Sequence, residues 1–152
     1  MQEAVARMLE RHNPKTLDEI IRALREIIQQ IALLGLWRGK FFEQAAFYGG
    51  TALHVLYGLD RFSEDLDFTL LKRRADFNLS RYADALRHEI EAFGFKIHIT
   101  LRQKETSPIR SAFLKANTRH QLLIIDMPGE LVGKIPRNQI LKIKLEVDTN
   151  PP

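Results

Sequence analysis

An aliphatic stripe near the N-terminal end most limits what this chain can fold into. Leu17, Ile20, Ile21, Leu24, Ile27, Ile28, Ile31 and Leu34 recur at steps of three and four, the spacing that lines one side of an α-helix. Thr16 followed by Glu19 has capping-box spacing at its start, where each side chain satisfies the other's free backbone N–H. Burying each stripe residue is worth roughly 1.5–3 kcal/mol, so this long helix must face a core. Gly35 and Gly39 bracket its expected exit. A second period governs other segments. Phe95, Ile97, Ile99 and Leu101 alternate with Lys96, His98 and Thr100, and Leu141, Ile143, Leu145 and Val147 alternate with Lys142, Lys144, Glu146 and Asp148. That is the period of half-buried strands, whose apolar face needs a cover.

Between these segments an apolar, aromatic run from Phe41 to Tyr48 leads into Gly49-Gly50-Thr51. Ala52 to Tyr57 then has the pattern of a short helix that Gly58 ends, and Asp65 to Leu71 alternates like a strand. Ser80 to Phe93 has helical spacing closed by Gly94, while Ser111–Ala116 and Gln121–Asp126 are further strand candidates. Loops are expected around Thr106-Ser107-Pro108 and Pro136. Trp37, Phe41, Phe42 and Phe47 are expected in the core, and the five scattered histidines in structural or surface positions. The order of elements, with no repeat and no Ser/Thr/Gly-rich linker, implies an α+β chain of one folding unit over 1–152. A helical segment would cover about residues 1–40 and a sheet-based core about 41–152.

Composition narrows the chemistry. The chain has 152 residues, 45% of them hydrophobic and 28% charged, which excludes a disordered or collagen-like polymer. There is no cysteine, so no disulfide framework, thiolate nucleophile or thiolate-bound metal is available. The charged N-terminal stretch is unlike a secretory signal, and the longest apolar run, Ile31 to Trp37, is too short for a bilayer. A cytoplasmic protein without a membrane partner is expected. Lysine and arginine outnumber the acids 23 to 19, a net charge of +4, which is compatible with a polyanionic partner such as a nucleotide or nucleic acid.

Asp65-Leu66-Asp67 is the centre of the functional reading. On a strand both carboxylates point to one face, where they repel each other unless a cation lies between them. Ahead of them, Gly49-Gly50-Thr51 opens a helix, and glycines that admit close backbone approach, with free N–H groups and a hydroxyl, suit a phosphate. Asp65 and Asp67 would then hold the magnesium that such phosphates carry. On the last strand Lys142, Lys144, Glu146 and Asp148 share a face. Lys142 and Lys144, the latter nearer Glu146 in sequence, are candidates to offset triphosphate charge, and Ser63 either to touch phosphate or water or to cap a turn. Three carboxylates from two strands beside a phosphate turn meet the needs of two-metal phosphoryl transfer. Glu146, held between Leu145 and Val147, is the expected third acid, with Asp148 farther out, because proline at 151 ends the strand.

The block from Tyr48 to Phe68, with Gly49-Gly50-Thr51-Ala52-Leu53 and Ser63-Glu64-Asp65-Leu66-Asp67 inside it, resembles the first motif of the AbiEii/AbiGii nucleotidyltransferase family. That family belongs to the DNA polymerase β-like superfamily, whose third motif Leu145-Glu146-Val147 resembles. The resemblance implies a mixed sheet flanked by helices, with the acids on adjacent central strands. It implies transfer of a nucleotide from a nucleoside triphosphate, with two Mg²⁺ ions on Asp65, Asp67 and Glu146. It implies a toxin of an abortive-infection or toxin–antitoxin system, with an antitoxin partner and, as in some relatives, tRNA as acceptor. The superfamily's usual Gly-Ser is Gly-Gly here, and the family's C-terminal helical region is expected to be absent. Two other readings are an antibiotic-type small-molecule nucleotidyltransferase and a non-catalytic partner-binding module.

Overall fold

Two helices lead the chain in the computed structural model, which describes residues 3–49, 65–104 and 106–152. The first, α1 (Glu3–His12), packs Val5 and Leu9 against the second, α2 (Leu17–Arg38). Sequence periodicity had no hold on α1, because two buried side chains in ten residues make too thin a stripe. The turn between them passes through Asn13, at φ 46°, a conformation asparagine tolerates better than most side chains. The capping box of α2 forms as expected: the Glu19 amide donates to Thr16 Oγ1 at 3.2 Å, and the Thr16 amide donates to Glu19 Oε2 at 3.3 Å.

Gly39 caps α2, but Gly35 lies inside it and is buried. A Cβ at Gly35 would come within 3.1 Å of the Ala85 carbonyl and the Glu89 side chain, so glycine there sets how closely α2 meets α3 (Ala83–Ala92). Helix α3 follows a 3₁₀ turn at Leu79–Tyr82. It ends in a Schellman arrangement, the Phe95 amide donating to the Ile90 carbonyl and the Gly94 amide to that of Glu91.

The run from Phe41 divides into a 3₁₀ turn, Phe41–Glu43, and strand β1, Ala45–Tyr48. Strands β2 (Asp65–Leu70), β3 (His98–Gln103), β4 (Ile109–Asn117) and β5 (Ile140–Asp148) complete one sheet. Its order is β1-β2-β5-β4-β3. Only β2 and β5 run parallel; the other neighbours are antiparallel. This is an α+β fold with a mixed five-stranded sheet flanked by helices and a long helix near the N-terminus.

The strand expected at Gln121–Asp126 is a helix, α4 (Thr118–Ile124). Asn117 caps it by accepting the His120 amide at 3.0 Å, and the buried positions Thr118, Gln121, Leu122 and Ile125 follow helical spacing. The unbroken run Leu122–Ile125 carries no period of its own, so the capping asparagine decides. A last short helix, α5 (Gly129–Val132), precedes β5. Strand β3 begins later than the alternation suggests. Phe95 is buried ahead of it, and β3 is an edge strand with Leu101 exposed.

The core lies between one sheet face and helices α2 and α3. Leu66, Phe68, Ile143, Leu145 and Val147 from the two parallel strands meet Leu24, Ile27, Ile28 and Ile31 of α2 in one cluster of buried side chains. Phe41 is its aromatic hub, edge-on to Phe68 at 5.0 Å and to Tyr82 at 5.1 Å. Phe42 and Phe47 pack against the same cluster, as expected, but Trp37 is 65% exposed at the end of α2.

Candidate active site

Alternation on the parallel pair sends Leu66, Phe68 and Leu70 of β2 and Leu141, Ile143, Leu145 and Val147 of β5 into the core, and the charged side chains to the opposite, more open face, where Ile140 is exposed as well. The register makes Asp67 the direct partner of Glu146 and Asp65 that of Lys144. On the other side Tyr48 of β1 stands opposite Asp67, and on β4 Ser111 stands opposite Glu146. One row across the open face therefore reads Tyr48, Asp67, Glu146, Ser111. The row beside it holds Asp65, Lys144 and Phe113.

These neighbours perturb one another. Burial, and then the negative charges of Glu146 and Asp65, raise the Asp67 carboxyl above its ordinary 3.8, with Lys144 opposing them. Lys144 sits with its Nζ 2.5 Å from Glu146 Oε1, and that hydrogen bond raises its ammonium above the usual lysine value. Tyr48 is pushed up from 10.0 by burial first and by Asp67, Asp148 and Glu146 after it. Asp65, Asp67 and Glu146 gather three carboxylates around a single close ammonium on this face, which is the chemistry of a site for a hard divalent cation. Among the described residues no three acidic or histidine side chains close around one point.

Gly49 ends β1 with φ +90°, and a Cβ there would lie 2.9 Å from Asp67 Oδ2. Both facts call for glycine. The sequence assigned Gly49 to close approach of a phosphate; the structure gives it a nearer neighbour, the carboxylate of Asp67. Gly50, Thr51 and Ser63, the other expected phosphate contacts, and the short helix from Ala52 lie outside the described residues.

Asp148 shares the face with Glu146 but stands opposite Thr69 and Ile109. Its Oδ1 accepts the Asn150 amide at 2.9 Å, the turn that closes the strand. Asp67 thus feels the charge of Glu146, while Asp148 serves the end of β5. Tyr48 and Ser111 were not singled out from the sequence as site residues. Tyr48 was legible only as the residue before the glycines, and Ser111 only through the pairing of β4 with β5.

A mixed sheet with paired carboxylates on adjacent strands and a glycine turn against them is an arrangement suited to nucleotidyl transfer. The sequence model of the family described as nucleotidyl transferase AbiEii toxin, type IV toxin–antitoxin system, matches residues 31–152. The chain belongs to this family. No curated protein and no solved structure matches it significantly. Membership sets it among the toxins of type IV toxin–antitoxin systems, which are paired with an antitoxin. No helix among the described residues is long and apolar enough to cross a membrane.

Proposed function

We propose that this chain is a metal-dependent nucleotidyltransferase that moves a nucleotide from a nucleoside triphosphate to an acceptor hydroxyl. The pairing of Asp67 with Glu146, beside Asp65 and against Gly49, is the observation that carries this reading. The acceptor oxygen forms a bond to the α-phosphorus, the bond to the bridging oxygen breaks, pyrophosphate leaves with its electron pair, and the hydroxyl proton is released. Mg²⁺, when bound, would neutralise charge on the transferring phosphate and acidify the attacking hydroxyl. Asp65, Asp67 and Glu146 would hold it. Magnesium takes one or two carboxylates plus phosphate oxygens and keeps several waters, so a closed three-acid cage in the protein alone is not required.

Lys144 is placed to pair with the triphosphate once Glu146 turns to metal. Gly49, Gly50 and Thr51 would bring backbone N–H groups to the phosphates, with Ser63 beside them. A candidate acceptor is RNA, tRNA in particular, and the partner class is an antitoxin protein; the reaction belongs in the cytoplasm, where nucleoside triphosphates and Mg²⁺ are present. The test is incubation of the chain with each α-labelled nucleoside triphosphate and Mg²⁺, offering total RNA, total protein or aminoglycosides. Label on RNA that disappears with chelator supports the reading. Label confined to aminoglycosides would favour the antibiotic-type enzyme, and no label on any acceptor would contradict transfer.

A further inference from the structure

Beyond the acids, the open face changes sign. Phe113 on β4 is ringed by cations: Lys142 Nζ at 4.5 Å from its centroid, the Arg102 guanidinium at 5.1 Å, Lys144 at 5.8 Å and Lys115 at 5.9 Å. Lys115 and Lys142 are direct cross-strand partners, and like charges so placed destabilise a sheet. Lys144 has Glu146, whereas Arg102, Lys115 and Lys142 have no ion-pair partner among the described residues. A cavity of about 260 Å³ opens where this patch meets the acids, lined by Arg102, Lys104, Ser111, Phe113, Lys144 and Glu146.

We propose that this face of β3, β4 and β5 grips the sugar–phosphate backbone of a nucleic-acid strand, without reading its sequence. The cations extend too far for a triphosphate held over Asp67 and Glu146. Arg102 lies two strands from β5 in the row of Glu146, roughly 10 Å across the sheet, and Lys142 and Lys115 lie four residues, about 13 Å, along the strands from that row. Phe113 is only 8% exposed, so it gives the lysine stems an apolar floor and cannot stack a base. What the patch offers outward is positive charge, which neutralises phosphates one by one. A strand laid here has its end at the cavity beside Glu146. Taking that strand as the acceptor rests on the transferase reading; the grip itself does not.

Fluorescence anisotropy with a labelled single-stranded RNA of mixed sequence, and with polyuridine of equal length, tests the grip without nucleotide or Mg²⁺. Both RNAs should bind equally. In the Lys115→Met/Lys142→Met double variant the slope of log K against log salt should fall by about 1.4, and affinity at 0.1 M salt by roughly 20-fold. The Lys115→Arg/Lys142→Arg variant should keep both. Thermal unfolding of the Met variant should be unchanged or higher, since a like-charge pair is gone. An unchanged slope and affinity in the Met variant would overturn the proposal, as would polyglutamate competing as well as RNA at equal charge. RNA bound by these lysines but never labelled would overturn RNA as the acceptor and leave the grip standing.

Discussion

The two faces of the parallel pair β2 and β5 are built from alternate residues of the same strands, yet they obey different rules. On the covered face Leu66, Phe68, Ile143, Leu145 and Val147 are wholly buried in one hydrophobic cluster. On the open face Asp65, Asp67, Lys144 and Glu146 crowd together, and Asp67 is held in a state its neighbours' charges oppose. One face stabilises the fold by burial; on the other, burial and like charge oppose the ionised Asp67, while Glu146 favours the Lys144 ammonium. The contrast teaches that the acids are not placed for stability, since a solvated strand face with alternating signs would cost nothing and serve equally well.

The largest effects should fall on the open face and be seen chiefly in activity. Asp67→Asn or Glu146→Gln should lower Mg²⁺-dependent transfer about a thousandfold or more, several kcal/mol of transition-state stabilisation. Asp148→Asn, which alters the acceptor of the Asn150 amide and removes one negative charge near Tyr48, should cost less than about tenfold. Initial rates with saturating labelled nucleotide decide it, and equal losses at 146 and 148 would erase the distinction between them. Covered-face changes should instead be seen in folding. Leu145→Ala leaves a cavity between sheet and α2 and should cost roughly 2–5 kcal/mol, read from the urea midpoint. Gly49→Ala lies between the two cases. Its positive φ and the contact with Asp67 Oδ2 should cost roughly 1–3 kcal/mol, and the displaced carboxylate should lower transfer as well.

How much of this contrast was legible beforehand follows from what repeats in the sequence. Strands β2 and β5 were, because strict alternation over Asp65–Leu70 and Leu141–Asp148 names both faces at once, and α2 was, because its stripe and capping box agree. Asp65, Asp67 and Glu146 follow from those periods, but their meeting depends on β2 lying beside β5 in one register, which no local pattern encodes. Helix α4 was misread because Leu122–Ile125 is apolar throughout. Gly35 was placed at a helix end because its reason for being glycine is α3, fifty residues away. The cations around Phe113 come from β3, β4 and β5, and only the pairing of those strands assembles them.

The smallest effect is also the most telling. Asp67 has its carboxyl raised above 3.8 in the folded protein, so between 3.8 and that higher value the folded state holds more proton than the unfolded one. Stability therefore falls as pH rises through this interval, and the cost is complete above it and absent below 3.8. Solvent screening keeps it small. Without metal, Asp67→Asn should raise Tm slightly at pH 7 and leave it unchanged below pH 3.8. Thermal unfolding of wild type and Asp67→Asn at pH 7, each with and without Mg²⁺ and a non-hydrolysable nucleoside triphosphate, joins the two faces in one measurement. The account predicts a slightly higher Tm for the metal-free variant, a clear rise for wild type on adding ligand, and no such rise for the variant. A variant less stable without ligand that still gains as much as wild type on adding it would contradict the account.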